Sequence, residues 1–452
     1  MDTRYEVIVI GAGPGGEVCA AQLGKAGKRV AIVESERVGG ECSFWACVPS
    51  KVLLRSEDPY NASRRVPGSR AAVTGSPSFD QAAAWRNDSV SNYDDSDHVP
   101  FLKENNVDLI RGEAHVSERG AVQVGDAVYR YDTLVIATGS DPQIPQIEGL
   151  LNGRAWTPRE ATAAQRLPSR LVILGAGAVG VELSQVFARY GSKVTLLEPG
   201  PRVLTKEEPE VAALMTDMLT ADGIAVLCKK KAAKVQWSES AVKVLLDDGA
   251  QIEADELLVA AGRTGRVKYF DAGALGLHIE KGAISVDDQC RAADNVYAVG
   301  DVNGVALFTH VAKYQARIAA DAILGKQTRA RYDAVPRCTF TDPEIGSTGL
   351  TEKNARAKQI NVTTARVDLT SAARANLYYE QPAPGFIKLV ADKDARTLIG
   401  ASIVGPEASE MIGIATAAIH SKIRVDELLQ MIQPFPTFSE AFFYALQALK
   451  WS

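Results

Sequence analysis

The stretch "YEVIVIGAGPGGEVCAAQLGKAGKRVAIVE", residues 5–34, decides how the rest of the chain is read. An apolar strand runs into a glycine-rich turn, a helical run follows, and a second β-rich stretch closes on Glu34. Gly11, Gly13 and Gly16 fit GxGxxG, with the acid about twenty residues further on. The first glycine permits the tight turn, the second lets backbone approach a pyrophosphate, and the third allows close helix–strand packing. The acid can hydrogen-bond a ribose hydroxyl. A lone GxGxxG carries little weight, but here strand, glycines, helix, second strand and acid all fall in register.

The arrangement recurs in "RLVILGAGAVGVELSQVFARYGSKVTLLE", residues 170–198, with Gly175, Gly177, Gly180 and Glu198 in the same places. A repeated βαβ unit predicts an α/β chain with two doubly wound, Rossmann-like dinucleotide-binding domains. Two such sites imply two cofactors working together, a flavin and a nicotinamide. A carboxylate at Glu198 suits a free 2′-hydroxyl and repels a 2′-phosphate. Pro199 and Gly200 add no positive charge, although Arg202 lies close. NADH is therefore favoured over NADPH.

Elsewhere, residues 57–98 are rich in Ser, Asp, Asn and Arg and read as loops and exposed helix. "NVYAVGDVNG" (295–304) joins a short strand to a Gly-Asp turn. From Tyr332 the alternating stretches "GFIKLVAD" and "TLIGASIVG" read as strands and "ASEMIGIATAAIHSKI" as a helix, predicting a C-terminal α+β domain. The 452 residues are 46% hydrophobic and 23% charged, ordinary for a globular chain of several domains. A net charge of −5 argues against a nucleic-acid binder. No apolar run is long enough to predict a membrane span. The start, "MDTRYEVIVIGAG", has no signal-peptide pattern, so the cytoplasm is the expected location.

Six cysteines (19, 42, 47, 228, 290, 338) are too scattered for a secreted disulfide framework. One close pair stands out, Cys42 and Cys47 in "GGECSFWACVPSK" (39–51). On a regular helix their Cα atoms would lie roughly 8.7 Å apart, too far for a disulfide. A bridge requires the helix to start late or to be distorted, which Pro49 helps to allow. A helix N-terminus there would favour a thiolate. Metal ligation is a poor alternative at this spacing, and two inert buried cysteines remain a third reading.

GG-x-C-x4-C-x-PSK after an N-terminal GxGxxG resembles the pyridine nucleotide–disulfide oxidoreductase family, which includes dihydrolipoamide dehydrogenase, glutathione reductase and mercuric reductase. "ATGS" (137–140), "GVE" (180–182), "AGR" (261–263), "VYAVGD" (296–301), "FTDPEIGSTGLTE" (340–352) and "PTFSE" (436–440) follow in the family's order. The resemblance implies an FAD-binding domain over 1–149 and 266–331, an NAD(P)-binding domain over 150–265, and a dimerisation domain over 332–452 of a homodimer. It implies that Gly11, Gly13, Gly16, Glu34, Ala114, Gly139 and Asp301 hold FAD. Gly175, Gly177, Gly180, Glu198, Gly262 and Arg263 are then the expected nucleotide-binding positions of the second domain. Lys51 and Glu182 would pair beside the flavin N5, Cys47 would face the flavin, and Cys42 would attack the substrate disulfide. Electrons would run from NADH to FAD, to the cysteine pair, and on to a small-molecule acceptor.

One departure stands against this pattern. Disulfide reductases of the family carry His-Pro-Thr-x-x-Glu near the C-terminus, the His acting as proton carrier across the dimer. Here "MIQPFPTFSEAFF" (431–443) keeps Pro436, Thr437 and Glu440 but has Phe435 in the histidine position and Gln433 where some members have another His. Glu440 would then be a capping or interface carboxylate. His310 matches a position near the flavin, with a structural hydrogen bond the expected role. Mercuric reductase carries a C-terminal cysteine pair, whereas the last cysteine here is Cys338. Phe44 and Trp45 in the redox loop, with Phe435, Phe438, Phe442 and Phe443 opposite, raise two alternatives: an aromatic channel for a flat acceptor such as a quinone, or tighter packing. A quinone or diaphorase-type reductase and a flavin-binding sensor are the alternative functions. If the acceptor is a disulfide, Phe435→His raises lipoamide turnover at least about tenfold in a steady-state NADH assay, because a general acid–base is worth about 10²–10⁴ in rate.

Overall fold

A computed structural model describes residues 3–151 and 154–451. It divides into two units. The first comprises residues up to 50, 84–143 and 262–331; the second comprises 51–83, 144–261 and 332 onward.

In the first unit the opening strand Thr3–Ile10 lies between Val30–Glu34 and Ala127–Ile136, parallel to both. Val107–Arg111 and Val296–Ala298 extend the parallel sheet on either side. Val7 and Val9 enter one apolar cluster and Ile8 and Ile10 another, so both faces of the strand are buried. That is why residues 7–10 read as an unbroken apolar run rather than an alternating one. The helix Pro14–Lys25 covers one face, with Cys19, Ala20 and Leu23 turned inward.

The second unit contains a four-stranded parallel sheet, ordered Ala225–Cys228, Lys193–Glu198, Arg170–Leu174 and Glu256–Val259. A three-stranded antiparallel sheet (Ala232–Trp237, Val242–Leu246, Gln251–Ala254) accompanies it. The expected C-terminal α+β arrangement is a five-stranded antiparallel sheet in which Thr397–Gly405 is central, with helix Ala408–His420 in the same apolar cluster. The two stretches read as strands form Phe386–Asp392 and Thr397–Gly405, paired with each other.

Residues 57–98 form loops and helix whose described side chains are mostly exposed or half-buried, as their polar composition suggests, with one buried helix face. Helix Phe79–Ser89 turns Phe79, Ala82 and Ala83 into the second unit's core, where the Phe79 ring meets Tyr190 edge-on at 5.3 Å. A few apolar positions at helical spacing suffice to bury one face, and average composition hides them.

Within the second unit, Lys388 is only 5% exposed and its Nζ lies 3.1 Å from Glu208, 2.8 Å from Glu210 and 3.2 Å from Glu352. Burial alone would depress the ammonium, but these carboxylates outweigh it and hold its pKa above the ordinary lysine value. The cluster ties the start of helix Pro209–Ala221 to strand Phe386–Asp392. Lys388→Ala leaves the buried Glu208 carboxylate without its cation and is expected to cost about 3–5 kcal/mol of stability, read from the midpoint of chemical denaturation.

Candidate active site

The cysteine pair sits at a break between two helices. Helix Gly40–Phe44 ends at Trp45, whose φ of −129° and ψ of −15° leave the helical region, and a new helix, Cys47–Arg65, begins two residues later. Pro49 falls in the first turn of the new helix, where its missing N–H would have no intrahelical partner anyway. Cys42 and Cys47 are present as thiols, and their side chains hydrogen-bond to each other. The late helix start that the spacing demanded is present. The Cys42 thiol is pushed well above the ordinary cysteine value, first by that hydrogen bond to Cys47 and then by burial. Thr309 Oγ1 lies 3.3 Å from Cys47 Sγ. Sequence reasoning picked out His310 and passed over its neighbour Thr309; His310 stacks on Phe308 at 5.1 Å and is exposed.

In the same unit the first glycine fingerprint forms a tight cradle. Gly11 has φ +100°, and a Cβ there would come within 2.4 Å of Ala137 O. A Cβ on Gly16 would meet Gly11 O at 1.8 Å, so strand and helix touch through it. A Cβ on Gly13 would meet only Gly40 Cα at 4.0 Å, which leaves that surface free for a ligand. Gly13 is the N-cap of helix Pro14–Lys25 and no side chain caps the helix, so its first N–H groups suit an anion. Glu34 is buried and accepts from Ala12 N at 2.7 Å and Glu36 N at 2.7 Å. Asp301 accepts from Ser140 Oγ at 2.6 Å, and Arg263 donates to Ser140 Oγ at 2.7 Å and to Ser140 O at 2.6 Å. Burial pushes the Asp301 carboxyl up. Gly139 O accepts from Arg266 N, Gly262 O from Gln143 N, and Ala114 is buried in a short strand facing Val124. These residues fit a dinucleotide: a side-chain-free turn, uncapped helix donors and buried carboxylates for hydroxyls.

In the second unit the second fingerprint repeats the first. Gly175 has φ +103°, a Cβ on Gly180 would meet Gly175 O at 1.9 Å, and a Cβ on Gly177 would meet nothing within 4 Å. Glu198 accepts from Ala176 N at 2.9 Å and from Gly200 N at 2.6 Å. Arg202 is turned onto backbone, donating to Thr205 O at 3.2 Å and to Glu207 O at 2.8 Å. Lys51, one turn beyond Cys47 on the same helix, pairs with the buried Glu182 at 2.8 Å. Phe340 N donates to the other Glu182 oxygen at 2.9 Å, and the Lys51 ammonium lies 4.8 Å from the Phe340 ring centroid. Phe340 was legible only as part of a motif, since a backbone donor has no residue signature. Cys338, nearby in sequence, has its thiol pushed up to about 11, chiefly by burial.

The aromatic residues divide. Phe44 is 1% exposed and packs on His98; Phe438 and Phe442 belong to the C-terminal core. Of the two alternatives raised for the aromatic residues, these three side chains fit packing, since each is buried. Phe435 differs, being 75% exposed. Glu440 accepts from Thr437 N at 3.2 Å and from Tyr444 OH at 3.4 Å, so it caps the turn preceding the last helix. Among the described residues, no cluster of His, Cys, Asp and Glu could hold a metal ion, and no helix is long and apolar enough to cross a membrane.

Residues 5–316 match the family model described as pyridine nucleotide-disulphide oxidoreductase, and 335–446 match that family's dimerisation domain. A dihydrolipoyl dehydrogenase of Chlorobaculum parvum is 34% identical, with 98% of each chain covered. A mercuric reductase of Acidithiobacillus ferrooxidans is 31% identical over 98% of this chain and 82% of its own. Among solved structures, the Cu(II) complex of the HOCl-induced flavoprotein disulfide reductase RclA from Escherichia coli superposes with a TM-score of 0.88 at 27% identity, covering 100% of both chains.

Glu17, in the first turn of helix Pro14–Lys25, has its carboxyl raised to about 7, mainly by burial, with Lys313 opposing and Glu34 adding to the effect. His98 Nδ1 lies 3.8 Å from it. Between the ordinary value of 4.5 and about 7 the folded chain holds a proton that the unfolded chain has released, so stability falls as pH rises through this window. Glu17→Gln removes the effect: the loss in thermal midpoint between pH 5 and pH 8 should be smaller than in the unaltered protein.

Proposed function

The chain belongs to the pyridine nucleotide–disulphide oxidoreductase family, whose members are FAD-dependent enzymes, and on that premise we propose that it carries electrons from NADH through FAD to the Cys42–Cys47 pair and on to an acceptor. The observation that carries this reading is the helix break that joins two thiols five positions apart, with Thr309 against Cys47. FAD, when bound, supplies an isoalloxazine able to take two electrons from a pyridine nucleotide and return them to a disulfide.

The chain's own residues are assigned as follows. Gly11, Gly13 and Gly16 admit the FAD pyrophosphate to the N-terminus of helix Pro14–Lys25, and Glu34 is oriented for a ribose hydroxyl. Ala114, Gly139 and Asp301 complete the FAD contacts, and Arg263 steadies Asp301 through Ser140. Gly175, Gly177, Gly180 and Glu198 receive the nicotinamide dinucleotide, with Gly262 in the adjoining turn. Two features favour NADH over NADPH: Glu198 would repel a 2′-phosphate, and Arg202 is engaged with backbone carbonyls. Lys51 supplies positive charge near the flavin, and Glu182 orients it. Cys47 is the flavin-side thiol and Cys42 the one that meets the acceptor.

The domain limits follow the same reading: FAD binding in 1–149 and 266–331, nucleotide binding in 150–265, dimerisation in 332–452. A second copy of the chain would cover Met431, Ile432 and Phe435, which are 48%, 97% and 75% exposed within the matched dimerisation segment. The few, scattered cysteines suit a reducing compartment such as the cytoplasm.

A second reading has its own support. Phe435 offers no proton-transferring group, and Glu440 is occupied as a cap. An acceptor that needs no assisted thiol deprotonation, such as a quinone, fits those two residues better than a dithiol does.

Anaerobic titration of the FAD-loaded protein with NADH separates the readings. The cysteine route predicts a two-electron-reduced form with a long-wavelength thiolate–flavin band; simple flavin bleaching after one equivalent would sink it.

A further inference from the structure

Two of the four residues between the cysteines, Phe44 and Trp45, are anchored independently, and the anchors explain why the helix breaks where it does. Phe44 is buried against His98, ring centroids 5.5 Å apart. Trp45 stacks on Tyr93 at 4.7 Å with 24° between the planes. The Arg37 guanidinium lies 5.2 Å from the Trp45 ring centroid and 6.0 Å from that of Tyr93, and its Nε donates to Tyr93 O at 2.6 Å. Next to it, Val38 N donates to Asp95 Oδ2 at 2.6 Å, and Arg111 holds Asp95 at 2.6 Å. The segment carrying Tyr93 is itself unusual. Ser91, Asn92 and Tyr93 have φ of +48°, +51° and +64°, three successive side-chain-bearing residues in the left-handed region. Such a turn persists only where its surroundings over-determine it, and strain of this kind gathers at functional sites. The Tyr93 hydroxyl is buried without a hydrogen-bond partner among the described residues, so the ring and not the hydroxyl is what this position presents.

We propose that the Arg37–Trp45–Tyr93 stack is a positioning device that holds the chain out of helix at Trp45 and thereby sets the thiol–disulfide equilibrium of Cys42 and Cys47. The inference rests on the reading of these cysteines as a redox pair. When the pair closes, each thiol gives up a proton, two electrons leave, and an S–S bond forms. Holding the thiols together before closure lowers the entropic cost of closure and favours the disulfide. Releasing Trp45 lets the segment relax toward continuous helix, separates the sulfurs and favours the dithiol. The Trp45 ring is held by Tyr93 and Arg37, so the effect of the stack on the sulfurs runs through the backbone of the segment between them.

The test is the midpoint potential of the pair in the FAD-loaded full chain. The protein is equilibrated in graded mixtures of glutathione and glutathione disulfide, which supply and take up the two electrons. Free Cys42 and Cys47 are then alkylated and counted by mass spectrometry. Tyr93→Ala should shift the equilibrium toward the dithiol at least about tenfold, a rise of about 30 mV for a two-electron couple. Tyr93→Phe keeps the ring and should restore the unaltered potential. Arg37→Gln, which leaves both rings in place, should shift it the same way by about threefold or more, and it serves where Tyr93→Ala does not fold or loses its flavin. An unchanged potential in Tyr93→Ala or Arg37→Gln protein that retains its flavin overturns the positioning role alone. If the unaltered protein forms no Cys42–Cys47 disulfide at any ratio, the redox reading fails, and this inference with it.

Discussion

The same carboxylate–backbone bond closes both glycine turns, and the arrangement of each nucleotide fold depends on it. Glu34 accepts from Ala12 N at 2.7 Å and Glu198 from Ala176 N at 2.9 Å, in each case across 22 positions of sequence. The acid at the end of the second strand thereby ties down the turn that follows the first. The contact fixes where the helix N-terminus points and how closely the third glycine packs. Charge-assisted bonds of this kind are stronger than neutral ones, and here they are partly or fully buried. A carboxylate satisfied by the loop also remains able to accept from a ribose, because each oxygen has more than one acceptor site.

A different constraint governs the thiols. A continuous helix keeps residues five apart too distant for a disulfide, so a Cys42–Cys47 bridge requires the chain to leave the helix between them and restart it. It does so at Trp45 and Ala46, and the restart puts Cys47 at the beginning of a 19-residue helix that also carries Lys51. The break is bought with anchoring on both sides: Phe44 in the interior and Trp45 against Tyr93 and Arg37.

Much of this was legible in the residues. The paired strands, glycines and acids lie at fixed spacing because a βαβ turn has few geometric solutions, and the two C-terminal stretches read as strands are strands, although buried almost continuously rather than in alternation. The Cys42–Cys47 break followed from helix geometry and a disulfide's reach. The Lys51–Glu182 contact, made between residues 131 positions apart, rested on a motif and not on periodicity. The contacts of Thr309, Phe340 and Tyr93 were not foreseen, although Phe340 lies in a motif that was. Two act through a hydroxyl or a backbone N–H that many residues could offer, and Tyr93 lies in a polar stretch whose left-handed turn has no glycine to announce it. The aromatic residues left two readings open for a related reason: hydrophobicity does not say whether a ring faces the core, as Phe44, Phe438 and Phe442 do, or solvent, as Phe435 does.

By itself the sequence determined the two nucleotide-binding units, the carboxylates that close their turns, and the absence of an imidazole at position 435, since each is a matter of residue identity at fixed local spacing. Only the tertiary structure decided which side chain meets Cys47, that Glu440 caps its own turn, and that Trp45 is held by Arg37 and Tyr93. Those contacts join segments brought together by packing, and the energies that select them come from burial and stacking that no short stretch of chain contains.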